Sequence, residues 1–502
     1  MLKIEHLTIT HRRDLRTILR DFSLILNRGD KAVLIGEEGN GKSTLLKIMA
    51  GIDVSEYVSY TGDIISVDRI AYLPQKIDDQ HLNQDVLSFI TDNEEPDYQR
   101  LYELIRLTGL SADLIHDRIV STLSGGEKVK VSIMRLLYKD PDILLLDEPT
   151  NDLDLRTLIW LESFINNTSK TVMFISHDET LLSNCASGIL HMEQLKRKQE
   201  PVITLRSQSY QEYHENRRHN IARTNQLARK EKAELNKQLE KYRQIYQKVE
   251  HRQATISRGD PHGGFLLKKK MHAVKALGRK LEEKQENMTK KYEPEEAINI
   301  FFEDVSLNPD KIILDLHLDQ LKVEDKVLSE NIDLHVRGCD KICIIGENGS
   351  GKTTLLKVIK ENLAERHDIN VGYMSQNYHE IMDYGISPTS YLYDICEDRS
   401  KAQSLLGSLK FTSEEMTHAI SELSEGQKCK IILAGLILRR CNVLLLDEPT
   451  RNLSPLSNPE VRRMLVDYGG CIIAVSHDRL FIDEVCDKVY QLDAAGLTLI
   501  DG

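Results

Sequence analysis

Residues 36–43 read GEEGNGKS and residues 346–353 read GENGSGKT. Both satisfy G-x-x-x-x-G-K-[ST]. Each lies between an apolar run of strand character, Ala32–Ile35 or Ile342–Ile345, and an apolar run of helix character beginning at Leu45 or Leu355. Strand, glycine-rich loop and helix in that order make a phosphate-binding loop. Gly36, Gly39 and Gly41, and likewise Gly346, Gly349 and Gly351, let backbone N–H groups wrap phosphate oxygens, and the helix N-terminus adds its positive dipole end. Lys42 and Lys352 reach the β- and γ-phosphates, Ser43 and Thr353 are placed to bind Mg2+, and Thr44 and Thr354 follow at the start of each helix. One such match could be an accident of glycine-rich sequence; two in matched context are very improbable as accidents.

Further along, ILLLDE at 143–148 and VLLLDE at 443–448 are apolar runs ending in two carboxylates. Each reads as a buried strand that delivers acids to its C-terminal edge. Asp147 and Asp447 would hold Mg2+ through water, and Glu148 and Glu448 would polarise the water that attacks ATP. A core strand with surface acids at its end is the plainer reading, but it leaves the spacing unexplained. Asp147 and Asp447, Ser124 and Ser424, and His177 and His477 are each 300 residues apart; Gln75 and Gln376 are 301 apart, and Lys42 and Lys352 are 310 apart. The chain is therefore a duplication, with one domain expected at 1–207, a linker at 208–293 and a second domain at 294–502.

The linker differs in composition from both flanks. Between Gln211 and Tyr292 there are 21 Lys and Arg against 10 Asp and Glu, a surplus of 11 positive charges in a chain whose net charge is -12. A basic segment in an acidic protein points to local contact with a polyanion. From Gln211 to Gln253 there is no Pro or Gly, and Ile221, Ala228, Leu235, Tyr242 and Val249 recur every seventh residue, with Leu239 and Tyr246 beside them. That is a long helix with one apolar seam. SRGDPHGG at 257–264 is expected to break it, after which Leu267, Met271, Val274, Leu281 and Met288 resume the stripe. Two antiparallel helices zipped along their stripes are expected. The 502 residues contain no apolar stretch near the roughly 20 residues that span a bilayer, and no basic-then-apolar leader opens the chain. The eight cysteines are scattered without a C-x-x-C pair, so they read as thiols in a reducing cytoplasm.

LSGGE at 123–127 and LSEGQ at 423–427 separate this chain from other phosphate-loop proteins, because together with the motifs above they resemble the ABC ATPases. That resemblance implies an α/β fold with two ABC-type nucleotide-binding domains closing around two ATP molecules. Each ATP would be shared: the phosphate loop of one half would face Ser124, Gly125 and Gly126, or Ser424 and Gly426, of the other. Glu425 replaces one of the two glycines of the family pattern. Gln75 in YLPQ and Gln376 in YMSQ match the family's metal- and water-binding glutamine, and His177 and His477, both in SHD, match its switch histidine. His11 or Arg12 is the only candidate for adenine contact in the first half, and the second offers no clear aromatic.

Over nearly the whole chain the resemblance narrows to the ABC-F family, which joins two ABC domains by a long charged helical hairpin. It implies a cytoplasmic, ribosome-associated ATPase, monomeric with its domains paired intramolecularly and not bound to a membrane. Its linker would enter the ribosomal E site and approach P-site tRNA and the peptidyl-transferase centre of 23S rRNA. Arg258, Phe265, Lys268, Lys269, Lys270, Lys275, Arg279 and Lys280 would meet RNA, the cations setting affinity without reading sequence. The Gln-to-Ser spacings of 49 and 48 residues exclude a large inserted arm in one domain. The loop TNDLD at 150–154 becomes TRNLSPLSNP at 450–459, with Ser454 in place of an acid. This resembles the antibiotic-resistance, ribosomal-protection (Vga/Lsa-type) group and predicts unequal hydrolysis at the two sites. A housekeeping ABC-F translation factor is the alternative. A fused importer ATPase would leave the basic hairpin unexplained, and a DNA-repair ATPase would usually carry a longer coiled coil or zinc cysteines inside one domain.

Overall fold

The computed structural model describes every residue except 152, 196–199, 256–260, 290, 293–300, 303–304, 325 and 501–502, and leaves the side chains of 116–117, 255 and 261–264 undescribed. It divides into one unit formed by Met1–Gln211 with Glu295–Gly502 and a second formed by Glu212–Pro294.

The first unit contains the duplication as two copies of one sheet. In the N-terminal copy the order is Ile70–Leu73, Ile143–Asp147, Thr171–Ile175, Lys31–Ile35, Gly188–Gln194 and Glu200–Arg206, parallel except for the last strand. The C-terminal copy repeats it with Val371–Met374, Val443–Asp447, Cys471–Val475, Lys341–Ile345, Lys488–Asp493 and Gly496–Ile500. The acid-bearing strands Ile143–Asp147 and Val443–Asp447 are buried at every position. A parallel strand covered on both faces must be apolar throughout, which is why these runs do not alternate. Their carboxyl ends deliver Asp147 and Asp447 beside the phosphate loops, the crevice that open α/β sheets use for ligands. The helices Lys42–Met49 and Lys352–Ala364 start directly from Gly41 and Gly351, whose φ values of 86° and 98° are left-handed and suit glycine.

The N-terminal copy adds a three-stranded antiparallel sheet, Thr17–Leu26, Leu2–His11 and Val58–Ser66, while the C-terminal copy adds the pair Ile312–Val323 and Lys326–Arg337. Among the described residues no helix is long and apolar enough to cross a membrane, and all eight cysteines are free.

The second unit is two helices, Tyr210–Thr255, which begins in the first unit, and Pro261–Glu286. Lys284 pairs with Glu234 at 3.3 Å, and the Tyr292 N–H donates to Asn225 Oδ1 at 2.8 Å, so the two segments run antiparallel. Ala228, Leu235 and Val249 are buried along one seam, and Val274 and Leu281 along the other. A Cβ on Gly278 would lie 2.8 Å from the Tyr242 hydroxyl, so the glycine admits the ring at the crossing. The sequence places the helix break across 257–264. Instead the second helix already runs from Pro261, through Gly263 and Gly264. Proline is well suited to a first helical position because its missing N–H has no partner there, and each helical glycine costs only about 1 kcal/mol.

Candidate functional site

Each phosphate loop is closed by its own lysine. Lys42 Nζ donates to the carbonyls of Gly36 and Glu37 at 2.9 and 3.1 Å, and Lys352 Nζ to those of Gly346 and Glu347 at 2.9 Å each. Both lysines are buried, so an arriving phosphate would meet a cation already held in place.

The signature segments lie opposite the loops of the other half. Ser124 and Ser424 cap the helices Gly125–Tyr138 and Glu425–Leu438 through complete capping boxes with Glu127 and Gln427. Glu425, standing where Gly125 stands in the first copy, does not disturb the helix start: it forms a 2.7 Å ion pair with Lys428. A cleft of about 450 Å³ is lined by Gly349, Gly351, Lys352, Thr353, Thr354, Gln376, Asp447, Glu448 and His477 of the second half, together with Gly125, Thr150 and Asn151 of the first. This is the second composite site. Leu328, which the sequence offers no motif to find, also lines it.

The first composite site is filled differently. Glu38 Oε2 accepts from the Gly426 N–H at 2.8 Å, which places a carboxylate on the signature segment. Glu37 Oε1 accepts from the Ser457 hydroxyl at 2.7 Å and from the Ser454 hydroxyl at very short range, and Glu37 Oε2 pairs with Lys430 at 3.2 Å. Burial opposes the Glu37 charge, but Lys430 and the two hydroxyls more than offset it and hold its pKa at about 2. A small cavity of about 50 Å³ lies beside these contacts, lined by Glu37, Glu38, Ser424, Gly426, Lys430 and Ser454, and it takes in neither Lys42 nor Asp147 nor Glu148. In the other loop Glu347 meets Arg156 at 2.7 Å with both side chains largely exposed. The sequence marks Ser454 as odd, but its partner lies 417 residues away.

The two catalytic-type carboxylates also differ. Both sit at left-handed φ, 49° for Glu148 and 52° for Glu448, a strained conformation for glutamate. Glu148 accepts from Gln75 Nε2 at 2.6 Å and from Asn151 Nδ2 at 2.8 Å, and lies 3.2 Å from His177 Nε2. His177 Nδ1 lies 2.6 Å from the carbonyl of Leu453 in the other half. Both its neighbours are acceptors, which suits a ring that donates from both nitrogens, and although burial opposes it Glu148 raises the His177 pKa. Burial opposes the Glu148 charge too, but His177, Lys42 and Asn151 hold its pKa at about 2. Glu448 is the reverse: burial, then the Asp447 charge, pushes its pKa up to about 8. His477 Nε2 is 3.8 Å from Glu448 Oε1, and burial and Lys352 bring the His477 pKa down to about 4.

Asp147 Oδ1 accepts from the Ser43 hydroxyl at 3.0 Å and Oδ2 from the Tyr72 hydroxyl at 2.8 Å. Asp447 is 1% exposed, and neither of its oxygens has a partner in hydrogen-bond geometry. A buried carboxylate without partners beside Thr353 fits a hard divalent cation that takes oxygen ligands. In the linker unit Phe265, Lys268, Lys269, Lys270, Lys275, Arg279 and Lys280 are exposed, whereas Arg258 lies outside the described residues.

The comparisons with known proteins agree with this geometry. The family model described as ABC transporter matches residues 19–151 and 329–451, together half of the chain. The chain is 29% identical over 503 residues to the ATP-binding protein Uup of Buchnera aphidicola (Schizaphis graminum strain), covering 96% of this chain and 79% of that one. It is 27% identical over 502 residues to the ribosome protection protein VmlR of Bacillus subtilis, covering 96% and 85%. Among solved structures it resembles the archaeal ribosome recycling factor aABCE1, crystallised with ribosomal stalk protein aP1, with a TM-score of 0.63 and 18% identity over 98% of this chain and 89% of that one, a likeness of fold. Two phosphate loops, two signature segments and 27% identity over 541 residues to ATP-binding cassette sub-family F member 3 of Homo sapiens (97% of this chain, 71% of that one) converge: the chain belongs to the ABC transporter family, as an ATP-binding and ATP-hydrolysing member of its ABC-F branch.

Proposed function

We infer that ATP closes the two domains and that the closed form acts on the ribosome through the basic hairpin. The observation that carries this reading is the hairpin itself: a helix pair with exposed cations, Lys268–Lys270, Lys275, Arg279 and Lys280, inserted between two ATP-binding domains. Such a surface suits the phosphate backbone of rRNA and of P-site tRNA. In this reading the protein works in the cytoplasm, enters the ribosomal E site and repositions the P-site tRNA near the peptidyl-transferase centre. ATP drives this only by binding the closed state more tightly than the open one.

Within each site Ser43 and Asp147, or Thr353 and Asp447, would hold Mg2+, with Gln75 or Gln376 facing it. The metal supplies charge neutralisation on the β- and γ-phosphates. Lys42 and Lys352 bind phosphate, Glu148 and Glu448 orient and deprotonate the water, and His177 and His477 sense closure. The signature residues Ser124, Gly125 and Gly126, and Ser424 and Gly426, complete the opposite sites. Glu448 has the better-matched pKa for a general base at neutral pH. A chain carrying Glu148→Gln, which leaves the second site to act, should therefore turn over faster as pH rises, levelling off above about pH 8. A flat profile between pH 6 and 9 would show that Glu448 does not set the rate.

The outcome on the ribosome follows the antibiotic-resistance group. The supporting observations are the serine-bearing loop at 450–459 and the likeness to a protein named for ribosome protection. Inhibitory drug concentrations should rise in a strain expressing the protein over its empty-vector control; unchanged values would favour the housekeeping role. For ribosome action itself, the Glu148→Gln/Glu448→Gln chain with ATP should pellet with ribosomes, and recovery in the soluble fraction would refute it.

A further inference from the structure

Two ion pairs join the halves of the ATPase unit behind the nucleotide sites, and they are copies of each other with the charges exchanged. Arg462 Nη1 lies 2.5 Å from Glu179 Oε1, and Arg462 Nη2 lies 3.3 Å from Glu179 Oε2. Arg479 Nη1 lies 3.0 Å from Glu162 Oε2. Glu179 and Arg479 are each the first residue of the helix that follows a switch histidine, at Glu179–Cys185 and Arg479–Val485. Glu162 and Arg462 each lie on the helix after the loop that faces the opposite site, Leu155–Asn167 and Asn458–Val466. Both correspondences are offset by 300 residues, the offset of the duplication. The two contacts are thus one contact related by the internal pseudo-twofold. At both ends the first domain supplies the carboxylate and the second the guanidinium.

We propose that these paired bridges are a polarity code that makes the clamp close only between unlike halves. If a first domain met another first domain in the same arrangement, Glu179 would face Glu162 twice. If two second domains met, Arg479 would face Arg462 twice. The first pair is well shielded from water, with side-chain exposures of 3% for Arg462 and 8% for Glu179. The second is partly shielded, at 23% for Arg479 and 20% for Glu162. Arg462 also keeps Glu484 of its own half at 2.7 Å, and Arg479 has Asp178 of the other half at 3.6 Å, but neither carboxylate removes the mismatch when two like charges meet at a position that water screens only in part. Specificity of this kind needs a penalty against the wrong partner as well as attraction to the right one. A duplicated chain has this problem in acute form, because its halves share one fold and every copy could pair homotypically with its neighbours. The code answers it on the interface alone, whatever the clamp acts on. The four residues are positioning residues, since none touches the phosphate loops.

The test exchanges one position only. Glu162→Arg with Arg462→Glu leaves composition and net charge unchanged, yet it sets like charges against each other at both bridges within a chain and makes both homotypic pairings complementary. At pH 8 and nanomolar chain, ATP turnover should fall at least tenfold. With ATP at micromolar chain, light scattering should show a shift to dimers that wild type lacks. Adding Glu179→Arg and Arg479→Glu restores opposite charges within the chain and should bring turnover back to within a few-fold of wild type and abolish the dimer. Wild-type turnover and mass in the double variant would overturn the proposal. So would a folded, ATP-binding double variant that neither dimerises nor is rescued by the other two exchanges. Should the fourfold variant fail to fold, the mass of the double variant with ATP decides alone.

Discussion

Glu448→Gln should lower saturating ATP turnover about 100-fold or more, the usual contribution of a general base, while Glu148→Gln should lower it only a few-fold. Two features of the structure set this inequality. The second composite site is an open cleft of about 450 Å³, whereas at the first Glu38 already lies against Gly426 of the signature segment. The two bases also differ in readiness to take a proton: Glu448, at about 8, is matched to the water it must activate, and Glu148, at about 2, is a far weaker base. The measurement is phosphate release at pH 8 with both chains confirmed folded and nucleotide-bound. Equal losses in the two variants would reject inequivalent sites.

The second large effect belongs to Glu37. Replacing it with alanine leaves Lys430, whose side chain is 7% exposed, without its carboxylate. Breaking a buried pair from one side costs about 3–5 kcal/mol. The link joins the first phosphate loop to the Ser454 and Ser457 loop of the other half, so the loss should fall on domain closure. Glu37→Ala should unfold its domain contact at lower denaturant, and Lys430→Met on that background should recover much of the loss. Additive effects in this double-mutant cycle would show the two side chains do not interact. The sign with pH follows from the lowered pKa. The folded value of about 2 lies below the ordinary 4.5, so the stabilisation is fully present above about pH 4.5 and disappears as pH falls toward 2. A shift of that size amounts to about 3 kcal/mol. The advantage of wild type over Glu37→Gln should therefore shrink across that acidic window and stay constant from pH 5 to 8.

Reading the residues in order was enough wherever the chemistry is local. The phosphate loops are eight consecutive residues, the acid-bearing segments ILLLDE and VLLLDE six, and the seven-residue stripe of the linker recurs within one helix, so spacing alone carried them. The constant offset between copies then told which motifs belong together. Glu425 departs from the family pattern, and only the structure shows its local consequence: it stands at a first helical position, where Lys428 pairs with it one turn later. Pro261 shows the same for the linker, where a proline followed by glycines reads as a break but serves as a helix start.

By itself the sequence determined the duplicated α/β architecture, the ATP-binding motifs and the basic seam-forming linker, because each is written in neighbouring residues or in a fixed repeat. Only the tertiary structure decided what Glu37 and Glu38 do, which acceptors His177 faces, and why Glu162, Glu179, Arg462 and Arg479 have the charges they have. Their partners in the other half are 276 to 420 residues away. They meet only because the two copies face each other, and both the strength of a charge pair and the pKa of a carboxylate depend on the burial that this meeting creates.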